Sequence, residues 1–137
     1  MQTRNVDIVV LGAGIAGLSF ARAIKNRGRE VLIVERSRAL GGRCATWRHA
    51  GIPLDYGVPF LHGRSPLFWQ TVDQLMAEDV LSGWPERVEG EGPTCQPRAL
   101  DVGVRRAALR GGMNSLAKKL AGDIEVMREA EVSSLTI

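Results

Sequence analysis

Three groups of residues have the types and spacing that nucleotide chemistry requires. The first is Gly12-Ala13-Gly14-Ile15-Ala16-Gly17, a GxGxxG segment between an apolar run and an amphipathic one. In that setting Gly12 permits a tight turn, Gly14 lets the backbone approach a pyrophosphate, and Gly17 lets helix and strand pack closely. The helix that opens there offers free N–H groups and a partial charge of about +0.5 to phosphate oxygens. The second is Glu35, 18 residues after Gly17 and directly after the next apolar run. A carboxylate there accepts hydrogen bonds from ribose hydroxyls and repels a 2′-phosphate, which favours a dinucleotide with a free ribose. Arg36 beside it weakens that repulsion, and the bland alternative is a glycine-rich turn with a solvated glutamate. The third is Leu40-Gly41-Gly42-Arg43, a flexible loop ending in a guanidinium that can clamp phosphate oxygens bidentately, or else a surface turn with a solvated charge.

These residues need elements to position them. Val6 to Leu11 is a nearly unbroken apolar run rich in β-branched residues, as expected of a strand buried on both faces of a parallel sheet. Ile15, Leu18, Ala21, Ala23 and Ile24 fit a helix from Ile15 to Asn26 with one buried face, and Gly28 stands where a left-handed cap would fall. Residues 30–34 form a second buried strand, which completes a βαβ unit over residues 5–36. Residues 45–56 read as two extended segments around the turn His49-Ala50-Gly51. Ser65-Pro66 starts a helix with Leu67, Phe68, Val72, Leu75 and Met76 on its apolar face. Residues 82–98 are loop-like, a short helix runs from Asn114 to Ala121 and stops at Gly122, and residues 124–127 and 132–137 read as short strands. The expected fold class is α/β: a Rossmann-like FAD/NAD(P)-binding fold with a parallel sheet, expected to be incomplete at the C-terminus.

The pattern as a whole resembles the N-terminal FAD-binding segment of flavin amine oxidases, particularly their renalase-like relatives. GAGIAG, then Glu35-Arg36, then LGGRCAT at residues 40–46 carry the resemblance in order. Asp55-Tyr56-Gly57-Val58-Pro59-Phe60 resembles the family's segment beneath the isoalloxazine ring. Gly111-Gly112-Met113, with Leu116 and Leu120 after it, resembles its GGM helix. Residues 124–127 and Glu131-Val132 resemble the paired strands where a backbone group meets adenine. The resemblance implies an oxidoreductase with FAD as cofactor that moves a hydride from an amine or similar small molecule to flavin. It implies that Gly12, Gly14, Ile15, Ala16 and Gly17 bind the pyrophosphate and that Glu35, with Arg36, holds the adenosine ribose. Gly42 and Arg43 would contact the phosphates and ribityl chain, Gly57, Val58, Pro59 and Phe60 would lie along the flavin, and Val132 would touch adenine. The GGR loop and the 55–60 segment speak against the alternative of an NAD-binding Rossmann reductase.

Composition limits the remaining possibilities. With 45% apolar and 24% charged residues in 137, the chain can bury a core without staples, so a disordered chain or a disulfide scaffold is not expected. The net charge of +3 is mixed along the chain and gives no argument for nucleic acid. Cys44 and Cys95 lack paired spacing and read as reduced thiols; His49 and His62 make no metal cluster, so no metal is expected. The apolar stretch 8–20 is bordered by Asp7, interrupted by glycines and too short to cross a bilayer, so a cytoplasmic protein without membrane contact is expected. Trp47, Trp69 and Trp84 are expected to pack, Lys118 and Lys119 to be solvated, and Cys44 to carry no covalent flavin. The resemblance covers an N-terminal part: GGR loop and flavin-facing segment at 40–62, helix and strands at 113–137. A substrate domain and second flavin-contacting segment are not in view, so a C-terminal half, a partner chain or a non-catalytic fragment are the expected alternatives.

Overall fold

In this computed structural model, residues 5–87 and 100–136 are described. Strand β1 (Ile8–Leu11), helix α1 (Ile15–Lys25) and strand β2 (Val31–Val34) form the expected βαβ unit. The two strands pair in parallel, Ile8 opposite Val31 through Leu11 opposite Val34. Helix α1 buries Leu18 and Ala21, ends at Asn26, and leaves Ala23 exposed. A second parallel neighbour, β8 (Glu125–Met127), lies on the other side of β2, so β2 is central in the order β1-β2-β8.

The expectation of burial on both faces holds for β2 but not for β1. Val10 and Ile33 are buried against the helices, whereas Val9 is 50% and Leu11 52% exposed on the opposite face. Leu32, paired with Val9 on that face, is 7% exposed, so the opening lies at β1 and not at β2.

Strands β3 (Thr46–His49) and β4 (Ile52–Asp55) form an antiparallel hairpin, Thr46 opposite Asp55 and His49 opposite Ile52. Strand β5 (Leu61–Gly63) follows, then helix α2 (Pro66–Met76), a 3-10 turn (Ala77–Asp79) and strand β6 (Val80–Ser82). Ser65 caps α2 by accepting from the Phe68 N–H, with Pro66 at the first helical position. The face α2 buries is Trp69, Val72 and Met76; Leu67, expected inside, is 73% exposed, and Phe68 and Leu75 are half-buried. Trp69 is held by its Nε1–H, which donates to the Gly63 carbonyl at 2.9 Å. It packs as expected, but Trp47 and Trp84 are 56% and 48% exposed, which corrects that expectation for both.

Strand β7 (Arg105–Leu109) lies between β5 and β6 in an antiparallel sheet of order β5-β7-β6. This sheet is a finding beyond the sequence reading, which had loop over part of it; residues 88–99, including Cys95, lie outside the described residues. Helix α3 (Asn114–Ala121) ends at Gly122 as expected, packs beside α1, and keeps Lys118 and Lys119 in solvent. Strand β8 (Glu125–Met127) pairs with β2, Leu32 opposite Glu125.

The second C-terminal strand is overturned. Residues 128–136 have no regular structure, and Val132 is not paired with β8. Glu129 adopts a positive φ of 56°, which turns the chain out of line. Ala130 then donates to the Glu35 carbonyl at 3.1 Å, so the chain stays beside the end of β2 without making a ladder.

Candidate functional site

The site is built around the turn from β1 to α1. Gly12 has φ +97°, a conformation that side-chain-bearing residues rarely adopt, and its N–H donates to the Val34 carbonyl at 2.8 Å. A Cβ on Gly17 would stand 2.2 Å from the Gly12 carbonyl oxygen, so only glycine lets the helix sit this close. Gly14 differs, since a Cβ there would meet nothing within 4 Å. It is the N-cap of α1 with no side-chain cap, and the first turn carries no acidic residue. The leading N–H groups of α1 therefore face open space with the positive end of the helix dipole behind them.

The GGR loop is pinned against this turn. Gly41 donates to the Ala13 carbonyl at 2.9 Å, and a Cβ on Gly42 would lie 3.4 Å from the Gly14 Cα. Val58 donates in turn to the Arg43 carbonyl at 2.8 Å, and a Cβ on Gly57 would stand 2.0 Å from that same oxygen. The 57–60 segment is thus locked to the loop by backbone contact. Between turn, loop and segment lies a cleft of about 490 Å³ lined by Gly14, Ile15, Ala16, Gly42, Arg43 and Val58, closed by Phe68 and Leu116. Arg43 is exposed at its rim.

On the other side of the glycine turn is a cleft of about 300 Å³, lined by Gly12, Glu35, Arg36, Ala130, Glu131 and Val132 among others. Glu35 is 8% exposed, not a solvated surface carboxylate. Its Oε2 accepts from the Ala13 N–H at 2.7 Å and its Oε1 from the Ser37 N–H at 2.8 Å. Burial works to raise its pKa, but the donors from Ala13 and Ser37 outweigh it and hold the carboxyl below the usual glutamate value. A carboxylate has about four acceptor positions; with the Ser37 side chain bonded to it as well, about one remains for a hydroxyl donor. Val132 reaches this cleft as irregular chain, not as a strand, together with Glu35 and Arg36.

The structure therefore brings Gly12, Gly14, Ile15, Ala16, Gly17, Glu35, Arg36, Gly42, Arg43, Val58 and Val132 around one turn. Of the 57–60 segment only Val58 lines the larger cleft; Gly57, Pro59 and Phe60 are not among the residues lining either cleft. Cys44 is buried beside the larger cleft, and burial, reinforced by Asp55, pushes its thiol up and keeps it protonated. His62 is exposed, with its ring 5.8 Å from that of Phe60.

Sequence reasoning missed the support behind the cleft. Asp55 Oδ1 accepts from the Met113 N–H at 2.9 Å and from Thr46 Oγ1 at 2.5 Å, while Thr46 Oγ1 accepts from the Asn114 N–H at 3.0 Å. The hairpin thus caps α3, the helix whose Leu116 forms a cleft wall. Gly112 makes the approach possible: its φ is +84°, and a Cβ there would lie 2.5 Å from Thr46 Cγ2. The Gly-Gly before α3 was the signal that could have found this contact.

Comparison with known proteins agrees with the geometry. Residues 10–75 match the family model of the NAD(P)-binding Rossmann-like domain. Polyamine oxidase 2 of Arabidopsis thaliana is 36% identical over 63 residues, 46% of this chain and 13% of that protein. The inactive all-trans-retinol 13,14-reductase of Danio rerio is 28% identical over 132 residues, 91% of this chain and 21% of that one. A solved structure of putrescine oxidase with putrescine bound matches with TM-score 0.50 and 26% identity, over 59% of this chain and 17% of that one. The chain spans no more than about a fifth of the length of these relatives.

Proposed function

This chain is related through its nucleotide-binding segment to the FAD-binding amine oxidase family, and on that premise we propose that it holds FAD across the two clefts beside its glycine turn. The N–H groups of Ile15, Ala16 and Gly17 would hold the pyrophosphate, with Gly12 and Gly14 allowing the approach. Glu35 would take the adenosine ribose through its remaining acceptor position, with Arg36 beside it, and the Val132 backbone would meet adenine. Gly42 and Arg43 contact the phosphates and ribityl chain; Gly57, Val58, Pro59 and Phe60 run along the flavin. The uncapped start of α1, facing open space beside a buried and still unsaturated carboxylate, is the observation that carries this reading.

When bound, FAD supplies the hydride acceptor for oxidation of an amine or similar small molecule. The residues of this chain bind and orient: the helix N-terminus fixes the phosphates, and the locked 57–60 segment forms a rigid wall. Cys44, protonated and buried, takes no part in the chemistry. Residues 1–137 act as the N-terminal part of an FAD-binding domain, and the oxidase activity belongs to a protein of the relatives' extent, with the remainder in the same chain or in a partner. No helix among the described residues is long and apolar enough to cross a membrane. A cytoplasmic location is part of the same reading, supported by the lack of paired spacing between Cys44 and Cys95 in the sequence.

The test is the visible absorbance of the purified chain, followed by titration with FAD and with NAD. FAD uptake is expected, lost in Gly14→Val. Uptake of NAD in its place, or normal FAD loading in Gly14→Val, would overturn the assignment.

A further inference from the structure

Hairpin β3–β4 has two faces of opposite character. Its inner face is made by Thr46 opposite Asp55 and Arg48 opposite Pro53. All four residues meet the start of α3. Thr46 and Asp55 accept from the N–H groups of Asn114 and Met113, in that order, and Arg48 Nη2 donates to the Gly111 carbonyl at 2.7 Å. A Cβ on Gly112 would lie 3.0 Å from Pro53 Cβ. The same register sets the outer face, where Trp47 lies opposite Leu54 and His49 opposite Ile52. Tyr56, whose N–H donates to the Ala45 carbonyl at 3.3 Å, continues the alternation of Ile52 and Leu54. Trp47 is 56%, Ile52 61%, Leu54 44% and Tyr56 75% exposed. His49 is exposed too, with its ring 5.4 Å from that of Trp47.

This outer face has the make-up of an interface centre, with large aromatic and aliphatic side chains and no Asp, Glu, Lys or Arg. None of its residues lines either cleft beside the glycine turn. The exposed pair Val9 and Leu11 on β1 differs in this respect, because Leu11 lines the cleft of Glu35.

We propose that the outer face of the hairpin is the contact between two copies of this chain, related by a twofold axis, with Trp47 of each copy against Ile52 and Leu54 of the other. Charge selects the occupant. A net charge of +3 opposes the approach of two copies, and this face adds nothing to that repulsion. Arg48, the one Lys or Arg of the hairpin, is engaged on the inner side by Gly111. The face therefore presents no cation to an anionic membrane or an acidic partner, which electrostatic recruitment of either requires. On a twofold axis the same patch serves both copies, and each contact is made twice. The area is sufficient: with about 150–250 Å² for a covered aromatic side chain, the exposed fractions leave roughly 500 Å² per copy. Two copies then bury about 1,000 Å², the lower bound for a specific association, which fits a dissociation constant on the order of 10 μM. The contact goes beyond the FAD reading and does not depend on it.

Sedimentation equilibrium of the purified chain between about 1 and 200 μM tests this, a range that brackets such a constant. A monomer–dimer equilibrium is expected, with the same constant when FAD is added. Ile52→Lys, which sets a cation of each copy against the other, is expected to weaken dimerisation at least about tenfold. Val9→Thr, on the other exposed apolar face, is expected to leave it unchanged. In the unaltered chain, hydroxyl-radical labelling of Trp47 and Tyr56 should fall from the dilute to the concentrated end while that of Trp84 stays constant. A monomer at every concentration overturns the proposal, as does a dimer that Ile52→Lys leaves intact or that Val9→Thr dissolves. If Ile52→Lys fails to fold, the labelling decides, and equal reactivity of Trp47 and Tyr56 at both ends overturns the contact.

Discussion

The carboxylate of Glu35 accepts a 2.7 Å hydrogen bond from the backbone N–H of Ala13, which ties the end of β2 to the middle of the glycine turn. The residue proposed to take the ribose is therefore also a structural bond that shapes the glycine turn beside it. Its second oxygen fixes Ser37 at the start of the stretch leading to the GGR loop.

Glu35→Gln should destabilise the fold as well as weaken nucleotide binding. An amide offers one acceptor where two N–H donors need one, so a buried donor is orphaned at a cost of about 1–3 kcal/mol. Urea denaturation of the nucleotide-free chain measures this, and an unchanged midpoint would contradict the hydrogen-bond assignment.

The same carboxyl sets an acid limit. Its folded-state pKa lies below the unfolded value of about 4.3, so its contribution is fully present above that value and is lost as pH falls through the folded pKa. Stability measured between pH 6 and pH 3 (roughly, a window bracketing that value) should fall less steeply in Glu35→Gln than in the unaltered chain. Parallel curves would refute the linkage.

Gly14 and Gly17 should separate binding from folding. Gly17→Ala puts a Cβ 2.2 Å from the Gly12 oxygen and should cost about 1–3 kcal/mol of stability. A Cβ at Gly14 meets no protein atom within 4 Å, so Gly14→Val should cost less stability than Gly17→Ala while abolishing FAD uptake. Thermal melts with absorbance titrations distinguish the two, and the reverse pattern would place the phosphates elsewhere.

Arg43→Ala should lower FAD affinity with little change in stability, because the side chain is exposed at the cleft rim. Surface changes of this kind usually stay within about 0.5 kcal/mol. Equal affinity in both proteins, measured at low salt where charge contacts are strongest, would remove Arg43 from the site.

Thr46→Val should loosen α3 by removing the acceptor of the Asn114 N–H, about 0.5–2 kcal/mol as for other helix caps. Amide exchange across residues 114–121 should accelerate relative to α1. Unchanged protection would show that the hairpin does not cap the helix.

Local patterns in the sequence determined the βαβ unit, the Ser65-Pro66 helix start, the hairpin at His49-Ala50-Gly51 and the stop at Gly122. Each rests on residues close in the chain: a period of 2 or 3.6, a cap, a turn. The order of glycines, Glu35 and Gly42-Arg43 was legible for the same reason. What stayed hidden depends on partners distant in sequence. Within sheet β5-β7-β6, β5 pairs with β7 across more than forty positions, Leu61 with Ala107, through strands of three and five residues that carry little alternation. The Thr46–Asp55 cap on α3 spans a similar gap. Only the tertiary structure could show that Glu35 is buried and bonded to Ala13, that Val9 and Leu11 face outward, and that Glu129 turns Val132 away from a strand. Those outcomes depend on which layers meet and which polar groups are left to satisfy, and no local window of sequence contains both partners.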